Sequence, residues 1–260
     1  MILNDEIIVD YLKEPSSNKY RNHWIFYNIE PNKYMYDTPS RENVEVVKEI
    51  YIKIKIILMN FKPINEDIFK VLFPNYKNVF ESTKVLLVVG CPKMYDAMFI
   101  EHEDEEYIIF DLINLVNYIK HGHDIEKVLK NLLTHEFVHR CVKEKYPLKE
   151  NLPYVEKLNY IVFNEGFAHL LAYKDNIKEY DFNSKFYLDK YENAKLKLRN
   201  AIKEKNETKQ EKWLKEADVG NYWDKFGAIS GKLYLAQHID LLIEIYTNGW
   251  RNIIFNIIRE

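Results

Sequence analysis

The sequence predicts an α+β protein in which a small, mostly antiparallel sheet is followed by a helical lobe. Three short apolar segments, rich in β-branched and aromatic residues, lie close together at Lys84–Val89, Tyr95–Ile100 and Glu106–Asp111 and are typical of strands. The segments before and after them place apolar residues at the spacing of amphipathic helices. We therefore expect a single domain over 1–260, with N-terminal helices and the sheet in 1–120 and the helical lobe in 121–260.

The first helix with clear signals begins after Ser40, whose side chain can cap it, and ends before Pro63. Its apolar positions recur at helical spacing: Val44, Val47, Ile50, Ile54 and Ile57. A shorter helix is expected from Asn65 to about Leu72, before Pro74. The first forty residues contain turn signals but no pattern that assigns an element.

Two charged or histidine-rich stretches near the sheet have simple interpretations. The acidic run from Glu101 to Glu106 could bind a cation, but we favour a hairpin turn facing water. His121 and His123 could be a metal-binding pair, but we favour a turn before Asp124, which would cap the next helix.

That next helix carries a His-Glu-x-x-His motif at His135, Glu136 and His139. Residues four apart share a helix face, so the two imidazoles can bind one metal ion with Glu136 beside them as a general base. The expected apolar residues of that same face are Ile125, Val128, Leu132, Val142 and Tyr146. Polar groups buried there without partners would each cost about 1–3 kcal/mol, which a bound metal would offset.

A third ligand is offered by a second periodic segment, which follows a loop bounded by Tyr146-Pro147 and Leu152-Pro153. One face of it carries Leu158, Ile161, Val162, Glu165, Ala168, His169 and Ala172. Two antiparallel helices at 1.5 Å per residue can bring Glu165 back to the histidines. Two histidines and one glutamate leave a coordination position open for water, which is typical of catalytic zinc sites.

The two motifs, His135 to His139 and Asn164-Glu-Gly-Phe-Ala168, resemble the gluzincin class of zinc metallopeptidases, which includes thermolysin-like and aminopeptidase N-like enzymes. The chain also resembles bacterial predicted zinc-dependent peptidases whose ligand pattern is followed by a helix start containing Tyr and Gly, here Tyr222 to Gly231. The resemblance implies a zincin-like fold, with the motif helix at the cleft and a sheet edge that pairs with extended peptide. It implies one Zn²⁺ per chain, with His135, His139 and Glu165 as its ligands and Glu136 as the catalytic base.

Two further residues keep alternatives open. Thermolysin-like enzymes have an aspartate four residues beyond the glutamate ligand, where this chain has His169. That histidine could orient a ligand from the second coordination shell or be a satisfied core residue. Tyr222 could donate a hydrogen bond to the developing oxyanion or simply pack in the core.

Composition limits the kinds of partner and location that we expect. The chain of 260 residues is 47% hydrophobic, enough for a packed core, and its net charge of −3 does not favour nucleic acid or an anionic membrane. The acidic start of the sequence does not resemble a signal peptide. The apolar runs along the chain are shorter than the about 18–20 residues that a membrane-spanning helix needs. Two cysteines, Cys91 and Cys141, are too few for a disulfide scaffold. We therefore expect a cytoplasmic protein of undetermined oligomeric state that acts on a peptide or protein substrate.

Three other functions compete with a general zinc peptidase. The protein could be an intracellular regulatory protease with one specific protein substrate. It could be a non-catalytic, zinc-binding interaction protein, although Glu136 would then have no purpose. The motif could also be a coincidence in a helical protein.

The C-terminal segments add little to the functional interpretation. Lys195–Glu216 is expected to be a solvated helical excursion, and Ser230–Leu242 and Trp250–Ile258 are expected to be closing helices.

Overall fold

The computed structural model describes residues 1–30, 32–148 and 151–260, which form an α+β fold. The strands are β1 (Ile2–Asn4), β2 (Lys84–Val88), β3 (Ala97–His102) and β4 (Glu105–Asp111). The helices are α1 (Glu6–Lys13), α2 (Ile25–Asn28), α3 (Val44–Met59), α4 (Glu66–Leu72), α5 (Tyr76–Ser82), α6 (Leu112–Lys120), α7 (Ile125–Lys145), α8 (Tyr154–Leu171), α9 (Lys185–Ala201), α10 (Glu207–Asp218), α11 (Phe226–Gln237), α12 (Leu242–Asn248) and α13 (Ile253–Arg259). The α+β class is therefore confirmed.

The strands form one mixed sheet in the order β1-β2-β4-β3. The β1–β2 and β2–β4 pairs are parallel, and only β3–β4 is antiparallel. The expectation of a mostly antiparallel sheet was therefore wrong. We attribute the difference to burial: Ile108, Ile109 and Phe110 of β4 are fully buried and take the centre, whereas the half-exposed β3 takes an edge.

The acidic stretch between β3 and β4 is a hairpin turn, as predicted. Glu103 and Asp104 both have positive φ angles, 51° and 62°, and both are exposed. Two consecutive positive φ angles are typical of a type I′ hairpin turn, whose twist matches that of the strands.

The two histidines before the motif helix also lie in a turn, as predicted. His121 ends α6, Gly122 follows with φ of 76°, and His123 is exposed. The Asp124 side chain then accepts hydrogen bonds from the backbone N–H groups of Glu126, at 3.0 Å, and Lys127, at 3.5 Å. Asp124 therefore caps α7.

The chain forms two compact units, and the first comprises Met1–Pro63 and Asn75–Arg140. Its helix α3 matches the prediction closely. The Ser40 hydroxyl accepts from the backbone N–H of Glu42 at 3.2 Å, a short 3₁₀ turn leads into α3, and the buried residues include Val47, Ile50 and Ile54. The core of this unit is formed by α3, α6 and the buried faces of β2 and β4.

A buried carboxylate fixes the loop between β2 and β3 in this unit. Asp111 Oδ1 accepts from the backbone N–H groups of Ile113, at 2.9 Å, and Asn114, at 3.0 Å, and so caps α6. Its Oδ2 accepts from the N–H of Cys91 at 2.7 Å. The Asn114 amide donates to the carbonyl oxygens of Cys91, Pro92 and Tyr95. Burial raises the pKa of Asp111 to about 7, although these backbone donors oppose the shift.

The second unit comprises Ile64–Pro74 and Cys141–Glu260 and is helical in its described residues. Its central pair is α8 and α11, which cross at Gly166 and Gly231. Helix α9 packs on α11, so Leu198 and Ala201 are fully buried and Lys195 is 4% exposed. The prediction of a solvated excursion over Lys195–Glu216 was therefore wrong for α9.

The other predicted helices are also found in the structure. The short helix before Pro74 and the closing helices α11 and α13 are present, with α12 between them. The predicted loop before α8 includes residues 149 and 150, which lie outside the described residues. Within the residues that the structure describes, no helix combines the length and apolarity needed to cross a membrane.

Candidate metal centre

Helix α7 carries the His-Glu-x-x-His motif, and an ion pair and an aromatic cluster hold this part of the helix within the first unit. Arg140 Nε lies 2.7 Å from Glu106 Oε2 of β4, and both side chains are largely shielded from solvent. Phe137, which is fully buried, makes edge-to-face contacts with the rings of Phe61 and Phe80. These contacts fix the rotation of α7 and thus the direction in which its motif residues point.

The burial of α7 is wider than the predicted face. Among the residues of that face, Ile125 and Val142 are buried, but Val128, Leu132 and Tyr146 are only half-buried. Other sides of the helix are also covered, since Leu129, Leu133 and Val138 are fully buried or nearly so. The predicted single apolar face was therefore only partly right, because the middle of α7 lies inside the protein on several sides.

The three motif residues of α7 lie together at this buried middle. Glu136 is 6% exposed, His139 is 8% exposed, and His135 is half-buried. The Nε2 atoms of His135 and His139 lie 3.1 Å apart, with the two rings nearly perpendicular. Two imidazole nitrogens on one tetrahedral zinc at 2.0–2.1 Å would lie about 3.3 Å apart. The observed separation, which also allows a hydrogen bond between the rings, therefore fits a shared metal ion.

Helix α8 presents Glu165 and His169 one turn apart. His169 Nε2 lies 3.5 Å from Glu165 Oε2, and their side chains are 7% and 16% exposed. Asn159 holds this helix in its unit, since its Oδ1 accepts from the buried backbone N–H of Ile254 at 3.1 Å. Gly166, next to Glu165, lies in the close crossing with α11.

The structure therefore groups the candidate ligands in two pairs, one in each unit. In the first unit, the Nε2 atoms of His135 and His139 lie 3.1 Å apart on α7. In the second unit, His169 Nε2 lies 3.5 Å from Glu165 Oε2 on α8. His169, predicted as a second-shell or core residue, thus lies beside a predicted ligand.

Tyr222 lies beside His169, with the ring centroids 5.1 Å apart in an edge-to-face contact. Tyr222 begins a short 3₁₀ turn before α11 and is 36% exposed. The hydroxyl oxygen accepts a hydrogen bond from Lys232 Nζ at 2.9 Å. Burial of the hydroxyl raises the pKa of Tyr222, which keeps the phenol protonated at neutral pH.

Sequence reasoning missed Lys232, which the structure places with no solvent exposure inside the second unit. Burial and the nearby Lys174 lower the pKa of its amine to about 6. The signal that would have found it was available: Lys232 interrupts the apolar segment from Phe226 to Ala236, in the same way that Glu165 interrupts α8.

Comparisons with models of known protein families, with curated proteins and with solved structures found no match to this chain.

Proposed function

We propose that this protein is a zinc-dependent peptidase with a zincin-like site, in which His135, His139 and Glu165 bind one Zn²⁺. The observation that carries the proposal is the 3.1 Å separation of the two histidine Nε2 atoms beside the buried Glu136. The carboxylate expected as the third ligand, Glu165, is largely shielded from solvent and lies 3.5 Å from His169 on α8. Imidazole and carboxylate ligands suit zinc, which binds both at about 2.0–2.2 Å.

In the proposed reaction, Glu136 is the general base. When bound, zinc would lower the pKa of a water ligand to about 7 and polarise the scissile carbonyl. Glu136 accepts the proton of the attacking water and passes it to the leaving amine, so the peptide bond breaks without a covalent enzyme intermediate. Tyr222 donates its O–H to the carbonyl oxygen as negative charge develops there. Cys91 and Cys141 are both buried and are not joined in a disulfide, which is consistent with our further proposal of a cytoplasmic location.

The decisive variant is Glu136→Gln, which keeps the size of the side chain but removes the base. We expect it to bind zinc as the wild type does and to lose hydrolysis of a peptide library by about 10²–10⁴-fold. Glu126→Gln is a matched control, because it makes the same change at an exposed position in the first turn of α7. Full hydrolysis by Glu136→Gln would show that the proposed mechanism is wrong.

Substrate breadth distinguishes a general peptidase from a regulatory protease. A general peptidase should cleave many sequences in the library. A protease with one protein substrate should leave the library intact and cleave a single protein when it is offered folded partners from its own cell. In both cases the Glu136→Gln variant should be inactive.

One observation favours a second candidate function, that of a non-catalytic zinc-binding protein. His169 Nε2 lies 3.5 Å from Glu165 Oε2. If His169 joined His135, His139 and Glu165 as a ligand, zinc would have four protein ligands and no open position, as in structural sites. His169→Ala then separates the two functions. A structural site should lose most of its zinc affinity, whereas a three-ligand catalytic site should keep zinc at close to one per chain.

A further inference from the structure

The amine of Lys232 occupies an aromatic enclosure on the buried side of Tyr222. Its Nζ lies 3.0 Å from the centroid of the Tyr173 ring, and 5.1 Å from those of Tyr222 and Trp223. The side chain has no solvent exposure. Within the described part of the chain, no carboxylate forms an ion pair with this amine, and Lys174, which is itself cationic, helps to lower its pKa.

Such a lysine is an unfavourable choice for packing alone. An amine removed from water loses hydration, and among the described residues ring faces and one hydroxyl replace it. The lowered pKa of Lys232 reflects the same penalty. A methionine would fill the same space without a polar group, so the amine is retained at a cost to stability. Groups that are held at such a cost cluster at functional sites.

The hydrogen bond between the Lys232 amine and Tyr222 indicates what the amine does. Lys232 Nζ donates to the hydroxyl oxygen of Tyr222 at 2.9 Å. An oxygen that accepts on its buried side has its own O–H hydrogen available for another direction, and it becomes a stronger donor through cooperative polarisation. The Tyr222 side chain is 36% exposed, and its ring contacts that of His169. Tyr222 thus stands beside the candidate ligand His169 with an O–H hydrogen that its bond to Lys232 does not use.

The helix crossing fixes this arrangement. Lys232 directly follows Gly231, and Glu165 directly precedes Gly166. A Cβ atom at Gly166 would lie 2.8 Å from the carbonyl carbon of Gly231, so the two backbones are in direct contact. The same contact thus sets the position of the Lys232 amine relative to α8, which carries Glu165 and His169.

We propose that Lys232 is a positioning residue that holds Tyr222 with its O–H directed at the carbonyl oxygen of the peptide substrate. The inference rests on the proposed peptidase function. Lys232 touches neither substrate nor metal in this account. It acts through Tyr222, which is the residue that donates to the developing oxyanion.

The test is a cycle of three variants, Lys232→Met, Tyr222→Phe and the double variant, each loaded with zinc. Tyr222→Phe should lower kcat by about 10²-fold, the usual effect of removing one oxyanion donor. Lys232→Met should lower kcat by at least about tenfold with little change in KM, because it misdirects the same donor. The double variant should be no slower than Tyr222→Phe alone, since Lys232 acts only through Tyr222.

A second readout does not depend on activity. Lys232→Met should raise the melting temperature while zinc content stays unchanged, because the substitution replaces a desolvated amine with an apolar chain. A merely structural lysine would have the opposite effect. Lys190→Met is the control, since Lys190 also lies over the Trp223 ring, at 5.8 Å, but does not hydrogen-bond Tyr222. It should leave kcat unchanged.

Three results would overturn the inference. The first is a Lys232→Met variant that melts at a lower temperature and keeps its kcat. The second is a double variant whose loss is the product of the two single losses. The third is a fully active Tyr222→Phe beside an inactive Glu136→Gln, which would leave the proposed function standing. If the wild type hydrolyses no more peptide than Glu136→Gln, the proposed function fails, and this inference fails with it.

Discussion

The crossing of α8 and α11 leaves no room for a side chain at Gly231, and Gly231→Ala tests this directly. A Cβ atom at this position would lie 2.0 Å from the carbonyl oxygen of Val162 and 3.0 Å from the Cα of Gly166. An ordinary contact between carbon and oxygen is about 3.3–3.6 Å, so the helices would have to separate by about 1.3 Å or more. Both neighbours are backbone atoms, so no rotamer change can relieve the contact.

The expected loss of stability follows from two opposing effects. Overpacking a buried contact costs about 1–3 kcal/mol, and a clash with backbone belongs at the upper end of that range. Replacing a helical glycine with alanine raises the free energy of unfolding by about 1 kcal/mol, because alanine has the higher helix propensity. We therefore expect the free energy of unfolding to fall by about 2 kcal/mol, or roughly 4–8 °C in melting temperature for a chain of this size.

Thermal unfolding followed by circular dichroism measures this shift, and zinc titration of the same variant measures its effect on the site. Zinc binding should weaken, because Glu165 is next to Gly166 and moves with α8. Gly122→Ala is the control: nothing lies within 4 Å of its added Cβ, and only its positive φ carries a cost, of about 1 kcal/mol. If Gly231→Ala melts at or above the wild-type temperature, the close crossing is refuted, and with it the basis for the position of Lys232.

Three further outcomes follow from buried polar groups. Because burial lowers the folded-state pKa of Lys232 to about 6, the unfolded chain binds more protons above that pH. The free energy of unfolding of the wild type, relative to that of Lys232→Met, should therefore rise by up to about 1.4 kcal/mol per pH unit between pH 7 and 9. Urea unfolding measures this difference, and a difference that does not change with pH would contradict the burial of the amine. Asp111→Ala should destabilise the first unit by about 2–5 kcal/mol in the same assay, because three backbone N–H groups lose their acceptor; wild-type stability would refute this role. Asn159→Ala should cost about 1–3 kcal/mol, because the buried N–H of Ile254 loses its acceptor; unaltered hydrogen exchange at Ile254 would contradict that bond.

The elements that could be predicted from sequence are those specified by neighbouring residues. The cap at Ser40 and the stop before Pro63 bracket α3 because both act within a few residues of the helix ends. The convergence of His135 and His139 is likewise local, since a helix places residues four apart on one face. These predictions needed no knowledge of the rest of the fold.

The order of the strands in the sheet could not be predicted from neighbouring residues, because parallel pairing joins segments that are distant in the chain. Strand β1 contains only Ile2–Asn4, which is too short to show a period, and its partner β2 lies eighty residues later. Strand β3 follows β2 in the chain but lies at the edge of the sheet, paired with β4. Which strand becomes central depends on how the rest of the unit packs against each strand and buries it.

The role of His169 lies between these two cases. It stands four residues after Glu165, the same spacing that separates His135 from His139. The proximity of His169 to Glu165 was therefore predictable. Whether it serves as a ligand or as a core residue depends on groups from distant segments, which local pattern does not determine. Lys232 was overlooked for a similar reason, since the aromatic rings that enclose it come from separate segments.

The central claim is that this chain binds one zinc ion through the motif helix and Glu165, and metal content tests it most directly. Protein purified without added metal should contain about one zinc per chain by elemental analysis. His135→Ala and Glu165→Ala should lose the metal, whereas Glu156→Ala, in the first turn of the same helix α8, should retain it. Wild-type protein that takes up no zinc even after reconstitution would contradict the account.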